Sequence, residues 1–291
     1  MGFQKAVKTQ SHGRFAITAP SGGGKTMTAL RIARGLGSKI AVVDSENGSA
    51  SKYVGECPEG TNPIEFDTLD ISANTHPSVY IKAIHEAETA GYDVLVIDSL
   101  THAWDSTKQE VDKVKLASKS GNGYTAWSEG TKLWKALESA IMASPIHIIV
   151  TMRSKTEYAQ EKDNNGKTVI RKLGLAPEVR DGSEYAFDVV IDLNVDHVAT
   201  ISKTRCAALD GYVQAKPGEE LGRTLNAWLT SGVVKLATTE AIAKLADFAR
   251  KNGFPEDDLA TFLAQTKISE DSARTMQEKI IAFRDAKKGE A

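Results

Sequence analysis

The sequence predicts an α/β fold, in which helices flank a mainly parallel sheet and a small helical module follows at the C-terminal end. Continuous apolar strand patterns alternate with amphipathic helical patterns over roughly the first half of the chain. A glycine-rich loop joins the first strand pattern to the first helix. From about Thr238 the composition shifts to Ala, Lys, Glu and Leu at helical spacing.

Continuous apolar runs predict strands buried on both faces, as in a parallel sheet. These runs are residues 14–19, 40–43, 94–97 and 145–150. Apolar residues at helical spacing predict the helices between them. The helices are one that ends at Gly35 and Gly37, and others at 78–90, about 104–117 and 125–143. Residues 47–77 are rich in Gly, Pro and Asn, which indicates a long loop.

The second half of the chain predicts a different architecture. Asn165-Gly166 between two strand-like arms is a strong hairpin signal. Residues 187–193 and 197–202 indicate antiparallel strands near the edge of the sheet. We therefore expect a larger α/β core over residues 1–237 and a helical module over 238–291, which is broken at Gly253-Phe-Pro255.

Composition excludes several classes of protein. The chain has 291 residues, 41% of them hydrophobic, a net charge of −2 and only two cysteines. This cysteine content does not support a disulfide framework, and no apolar run is long enough to cross a bilayer. We expect a cytoplasmic protein that does not associate with a membrane. The near-neutral charge requires any nucleic-acid contact to come from local basic clusters or from many subunits.

The glycine-rich segment fits the phosphate-binding P-loop, with Ala19 at the first position, where Gly is more common. Three consecutive glycines allow the backbone N–H groups to face phosphate oxygens, and the following helix presents its positive end to them. Lys25 is expected to reach the β- and γ-phosphates, and the Thr26 hydroxyl to bind Mg²⁺. The predicted nucleotide-binding residues are Pro20, Ser21, Gly22, Gly23, Gly24, Lys25, Thr26 and Met27.

Two carboxylates are candidates for the chemistry beside this loop. Asp98 ends a buried strand, where it either helps to hold Mg²⁺ or caps the next helix. Glu46 follows the strand at 40–43 and could polarise an attacking water, although Asp44 competes for that role and a solvated turn residue is the simpler reading. The sequence has no Asn-Lys-x-Asp guanine motif and little of an arginine-rich kinase lid, so ATP is the expected nucleotide.

Several segments carry a resemblance to a known family. They are Gly-Phe-Gln-Lys-Ala at the start, Ala-Pro-Ser-Gly-Gly-Gly-Lys-Thr, Val-Val-Asp-Ser-Glu-Asn-Gly-Ser, Val-Ile-Asp-Ser-Leu-Thr-His-Ala-Trp, Thr-Met-Arg-Ser-Lys-Thr-Glu-Tyr and Ser-Lys-Thr-Arg-Cys-Ala-Ala-Leu-Asp-Gly. Over about residues 2–230 the chain resembles phage and prophage RecA-like P-loop ATPases, a group of reduced recombination proteins that promote single-strand annealing. The resemblance implies a RecA-like core, a homo-oligomer (a ring or a filament), single-stranded DNA and a single-strand-binding protein as partners, and the cytoplasm of a bacterial host.

The resemblance also implies roles for individual residues. Glu46 falls where RecA-like enzymes place the glutamate that activates water. Lys203 and Arg205 match a Lys-x-Arg element that related rings insert into a neighbour's nucleotide site, although two surface cations on an edge strand are the simpler reading. Thr151 is expected to sense the γ-phosphate at its strand end. Phe3 and Ala6 have the spacing of a motif that links recombinase subunits. A frayed terminus without a role is the alternative interpretation.

The resemblance implies DNA contacts in two segments that follow strands of the sheet, residues 118–124 and 153–172. The candidate contact residues there are Lys119, Arg153, Lys155, Lys167, Arg171 and Lys172. Cations with neighbouring aromatic side chains suit single strands, whereas acidic residues among them also fit a solvated hairpin. Two other functions stay open: a nucleotide-gated assembly factor of the helicase-loader type, and a small-molecule kinase. The C-terminal module could bind DNA, a partner protein or the core.

Overall fold

The computed structural model describes residues 3, 5–56, 63–117, 123–162 and 168–289. Two compact units are present, one formed by His12–Trp228 and the other by Met1–Ser11 together with Leu229–Ala291. The predicted division into a core over residues 1–237 and a helical module over 238–291 stays a prediction. We describe each unit by itself.

The larger unit is built on one mixed sheet with the order β3-β2-β4-β5-β1-β7-β8-β9, and β6 pairs with β5. Six strands from β3 to β7 in this order are mutually parallel, whereas β8, β9 and the β5–β6 pair are antiparallel. The strands are β1 (Arg14–Ala19), β2 (Ile40–Asp44), β3 (Asp67–Asp70), β4 (Val94–Asp98), β5 (His147–Lys162), β6 (Thr168–Pro177), β7 (Val189–Leu193), β8 (Val198–Thr204) and β9 (Val213–Ala215).

Helices cover the sheet, and a buried apolar cluster lies between them and the strands. Trp134 of the fourth helix is fully buried in it, and its indole N–H donates to Ser183 Oγ at 3.0 Å. The helices of this unit are α1 (Lys25–Leu36), α2 (Pro77–Thr89), α3 (Leu100–Ala117), α4 (Gly123–Ala143) and α5 (Glu219–Thr230). The predicted fold class, a mainly parallel α/β sheet flanked by helices with further helices at the C-terminal end, is confirmed.

Three details of the predicted elements were wrong. Residues 47–77 are not one loop, because they contain a 3-10 turn at Ala50–Tyr53 and the edge strand β3. All four β3 residues are exposed, so this strand has no apolar run that would reveal it. Helix α5 was not predicted, although Leu221, Leu225 and Leu229 recur at helical spacing. The first helix does not end at Gly35, which lies inside α1.

The predicted hairpin is present as its two arms, β5 and β6, which pair antiparallel from Ser154–Pro177 to Lys162–Thr168. The turn assigned to Asn165-Gly166 lies outside the described residues. Strand β5 therefore has two roles: its first half is a central strand of the sheet, and its second half leaves the sheet as a hairpin arm.

The smaller unit contains three helices: α6 (Thr239–Lys251), α7 (Glu256–Leu263) and α8 (Glu270–Gly289). They enclose a separate core that includes Leu259, Phe262 and Ile280. The Thr238 side chain caps α6 by accepting a hydrogen bond from the Ala241 N–H at 3.1 Å. The N-terminal segment of this unit joins it through a bridge between Thr9 and Val233, and Phe3 is fully exposed.

Candidate nucleotide site

The P-loop connects the buried strand β1 to the first turn of α1. Gly22 and Gly24 adopt left-handed backbone conformations with φ of 78° and 81°, which glycine tolerates without strain. Gly23 packs so closely on Ala19 that a Cβ at Gly23 would lie 2.7 Å from the Ala19 Cβ. The loop therefore curls tightly at the start of α1, where free helical N–H groups and the helix dipole favour an anion.

Asp98 is buried at the end of β4 between two hydroxyl groups. Thr26 Oγ1 donates to Asp98 Oδ2 at 2.6 Å, and the Thr151 hydroxyl donates to the other carboxylate oxygen. Burial raises the pKa of Asp98, and the two threonine hydrogen bonds oppose that rise. The predicted residues Thr26, Asp98 and Thr151 therefore meet at one point beside the P-loop.

This oxygen-rich arrangement fits Mg²⁺ in the way that phosphate-binding proteins use it. No cluster of three His, Cys, Asp or Glu side chains suited to a metal occurs among the described residues. A hydroxyl and one carboxylate do suit a cation that keeps several waters and takes its other ligands from phosphates. A cation there would favour the ionised form of Asp98, against the effect of burial.

Lys25, the first residue of α1, lies in the same pocket. Burial lowers its pKa, the charges of Glu46 and Asp98 raise it, and Arg153 lowers it. Its charge therefore lies near two carboxylates and one guanidinium. Phosphate oxygens would stabilise the ammonium form in this setting.

The two carboxylates that follow β2 have different surroundings. Asp44 is fully buried, and its two oxygens accept the backbone N–H groups of Glu46 at 2.6 Å and Ala50 at 2.9 Å. Glu46, in contrast, lines the pocket together with Lys25. Asp44 therefore shapes the turn, and Glu46 is the one of these two carboxylates that faces the pocket.

Arg153 lies in this pocket, although the sequence analysis assigned it to a DNA contact. Its Nε and Nη2 donate to Glu46 Oε1 at 3.2 Å and 3.0 Å. The register of the sheet places Arg153 beside Ala19, the residue that opens the P-loop. The sequence could not reveal this pair, because Glu46 and Arg153 are far apart along the chain and the strand order β2-β4-β5 brings them together.

The pocket has a volume of about 930 Å³, which is ample for a nucleoside triphosphate. On the side of β7–β9 it is lined by Arg31, His197 and Lys216, none of which the sequence analysis singled out. His197 lies in the β7–β8 turn, and its ring packs against Gly24. A Cβ added to Gly24 would lie 2.7 Å from Nδ1 of His197. The Nε of Arg31 is buried and has no hydrogen-bond partner among the residues that the structure describes.

Lys203 and Arg205 do not belong to the lining of this pocket. Because β8 runs antiparallel to β7, Lys203 pairs with Val190 at the amino end of the parallel strands. That end is about four residues, or roughly 13 Å, from the P-loop edge. The Lys203 ammonium donates to the carbonyls of Glu184, Tyr185 and Phe187, whereas Arg205 pairs with Asp188 at 2.6 Å and is half-exposed.

Of the other five predicted DNA contacts, the structure describes three. Lys119 and Lys167 lie outside the described residues. Lys155 is exposed on β5, two residues beyond Arg153, and Arg171 and Lys172 lie on the paired strand β6 opposite Ala159 and Tyr158. The structure thus places the last three on one hairpin.

These features define a P-loop nucleotide-binding protein. The chain belongs to the family described as AAA domain, which matches residues 11–230. It is also similar to a solved RadB recombinase, with 18% identity over 72% of this chain and 90% of that one and a TM-score of 0.40. A KaiC-like protein from Pyrococcus horikoshii OT3 matches at 15% identity over 72% and 93%, also with a TM-score of 0.40. No curated protein matches the chain. Across the described residues, no helix is long and apolar enough to span a membrane.

Proposed function

We propose that this protein is a Mg²⁺-dependent, RecA-like ATPase that works as a homo-oligomer on single-stranded DNA and promotes strand annealing in phage recombination. The observation that carries the ATPase part is the convergence of Thr26, Asp98 and Glu46 at the P-loop. The first two would hold Mg²⁺, which would neutralise charge on the phosphates. Glu46 would orient the attacking water.

The residues that line the pocket support one direction for the proposed ATP. Thr26, Asp98 and Glu46 lie toward β4 and β2, so the γ-phosphate lies on that side. The nucleoside then extends toward β7–β9, where Arg31, His197 and Lys216 line the pocket. Arg31 and His197 offer flat surfaces on which an adenine ring can stack.

The oligomer part is supported by the position of Arg205. A cation at the opposite end of the sheet does not serve its own P-loop, whereas a half-exposed arginine at a surface is available to a second subunit. The DNA part is supported by the exposed Lys155 and by the position of Arg171 and Lys172 on the same hairpin. A cationic hairpin tracks phosphates without sequence preference.

Annealing of two complementary single strands, with and without ATP over a series of salt concentrations, tests this function. We expect annealing that weakens steeply with salt, because phosphate contacts release counterions. Binding that is weak and insensitive to salt, without annealing, would favour a nucleotide-gated assembly factor. Transfer of the γ-phosphate to an acceptor other than water would identify a kinase.

A further inference from the structure

Arg153 and Glu46 form an ion pair inside the pocket of the γ-phosphate. Both hydrogen bonds from the guanidinium go to one carboxylate oxygen, Glu46 Oε1, so this is not the two-oxygen fork that makes arginine–carboxylate pairs strong. The side chains are 46% and 25% exposed, and such pairs contribute little to stability. Either side chain can therefore leave this ion pair for a stronger partner with little loss of stability.

The backbones on either side of the pair are held firmly. The Arg153 N–H donates to Thr101 Oγ1 at 3.0 Å, and its carbonyl accepts from Glu178 N–H at 2.7 Å. Glu46 is fixed through its N–H on Asp44. Any exchange of partners therefore takes place by rotation of the two side chains, while the strands stay in position.

ATP would bring a competing anion into this space. A γ-phosphate placed by Lys25 and the P-loop carries more charge than one carboxylate, and its oxygens accept two parallel bonds from a guanidinium. Lys25 lies close enough that the charges of both Glu46 and Arg153 act on it. The three side chains thus surround the place where the γ-phosphate would lie.

We propose that Arg153 is a catalytic residue acting within its own subunit: it holds Glu46 until a γ-phosphate arrives, then moves to that phosphate and frees Glu46 to orient water. This inference rests on the proposed ATP hydrolysis and is independent of DNA. In the reaction, the water oxygen forms a bond to the γ-phosphorus and the bond from that phosphorus to the β–γ bridging oxygen breaks. The products are ADP and inorganic phosphate, and the proton lost from water leaves to solvent. Arg153 would stabilise the charge on the transferring phosphoryl group.

The test measures the binding of AMP-PNP and ADP by the full chain without DNA. Arg153→Gln is expected to weaken AMP-PNP about tenfold and to leave ADP unchanged, because only the former carries a γ-phosphate. Its rate of phosphate release at saturating ATP should fall by on the order of 10²-fold. Arg153→Lys should recover part of both losses, since it restores the charge without the fork.

Glu46→Gln distinguishes two effects of Glu46 on nucleotide binding: competition for Arg153, and simple repulsion of the γ-phosphate by the carboxylate. Without its competitor, Arg153 should bind the γ-phosphate more readily, so AMP-PNP should bind about two- to fivefold tighter. In the Arg153→Gln background the same substitution should have a smaller effect. If Glu46→Gln tightens AMP-PNP equally in both backgrounds, repulsion alone explains it and the exchange is refuted.

Lys132→Gln is the matched control, because it also removes a cation from an ion pair, with Glu129, but on α4 outside the pocket. It should change neither affinity nor rate. Equal losses of AMP-PNP and ADP affinity in Arg153→Gln, or faster phosphate release, would overturn the inference. A wild type that releases no phosphate would instead contradict the proposed function, and the affinities would still decide whether Arg153 contacts the γ-phosphate.

Discussion

Asp44 and Glu46 stand two residues apart after the same strand, yet their surroundings give them different chemistry. Asp44 is fully buried and accepts two backbone N–H groups, so it cannot turn toward a water without leaving those donors unpaired. The Glu46 side chain, in contrast, accepts hydrogen bonds from the Arg153 guanidinium and faces the pocket. The turn that Asp44 fixes therefore directs Glu46 toward the pocket.

A buried histidine makes the stability of the core depend on pH. Nδ1 of His147 accepts a hydrogen bond from the Gly13 N–H at 3.0 Å, and burial, assisted by the charges of His12 and Arg14, lowers its pKa to about 3. The ordinary value is about 6.5, so the unfolded chain binds this proton more readily than the folded one. The stability that the neutral His147 side chain contributes is fully present above pH 6.5, and it is lost progressively as the pH falls from 6.5 to 3.

We therefore predict that His147 lowers the free energy of unfolding by about 1.4 kcal/mol when the pH falls from 7.5 to 5.5. His147→Asn retains an acceptor but does not titrate, so the variant should be less sensitive to pH by that amount. Urea unfolding of both proteins at the two pH values measures the difference. Equal pH dependence in the two proteins would show that His147 is not held neutral.

Arg31 provides a test of the direction of the nucleotide. Arg31→Ala should weaken ATP binding about tenfold and leave inorganic tripolyphosphate, which has no nucleoside, nearly unchanged. Arg34→Ala is the control, since Arg34 lies one turn further along α1 and pairs with Glu219 at 3.4 Å. Equal losses for ATP and tripolyphosphate would assign Arg31 to the phosphates.

The local part of the site could be predicted from the sequence, whereas its through-space part could not. Lys25 and Thr26 follow from a motif of consecutive residues, and Asp98 from a buried strand that ends in a carboxylate. His197, in the β7–β8 turn, and Arg153, on β5, are far away along the chain, and the order of strands brings them to the P-loop. Arg153 looked like one of several cations before a hairpin, and nothing local indicated its partner.

Glycines set the distance between α1 and α5. A Cβ on Gly222 would overlap the carbonyl oxygen of Ile32, and one on Gly35 would overlap the backbone at Glu219. The two helices therefore cross with their backbones in contact. This contact also explains why Gly35 lies inside α1, where a glycine alone would suggest the end of a helix.

Gly222→Ala should destabilise the protein by about 3 kcal/mol or more, because the backbones must separate. Gly123→Ala is the control: it adds the same methyl group at the start of α4, where no described residue from elsewhere in the chain has an atom within 4 Å. Thermal unfolding of both variants gives the comparison. A Gly222→Ala protein as stable as the control would mean that the two helices do not touch there.

Elements with clear apolar periodicity were predictable, and those without it were not. The four apolar runs became β1, β2, β4 and the first half of β5. Strand β3 was not predicted because all four of its residues are exposed; among the described strands it lies at the edge of the sheet, beside β2. Its stability comes from the ladder of backbone hydrogen bonds with β2, which leaves no signature in side-chain hydrophobicity.

At the scale of the whole molecule, the proposed trans-acting role rests on Arg205 more than on Lys203. The Lys203 ammonium satisfies three backbone carbonyls of its own chain, so its replacement would also disturb the 3-10 turn at Ser183–Ala186. Arg205 is half-exposed, and its side-chain partner among the described residues is Asp188. Arg205→Ala is therefore the cleaner variant.

Mixing two inactive variants tests whether subunits share a site. Lys25→Ala lacks a working P-loop but keeps Arg205, and Arg205→Ala has the reverse defect. In a randomly mixed 1:1 assembly, about one quarter of the sites combine an intact P-loop with an intact neighbouring arginine. Phosphate release should recover to about that fraction of wild type, and a mixture no more active than its parts would refute the sharing.

Release of inorganic phosphate from ATP by the full chain, with Mg²⁺ and with or without single-stranded DNA, tests the central claim most directly. The wild type should release phosphate, the DNA should accelerate it, and Lys25→Ala should abolish it, because the lysine neutralises the β- and γ-phosphates. A wild type that releases no phosphate even with DNA, or a Lys25→Ala protein as active as wild type, would contradict the claim.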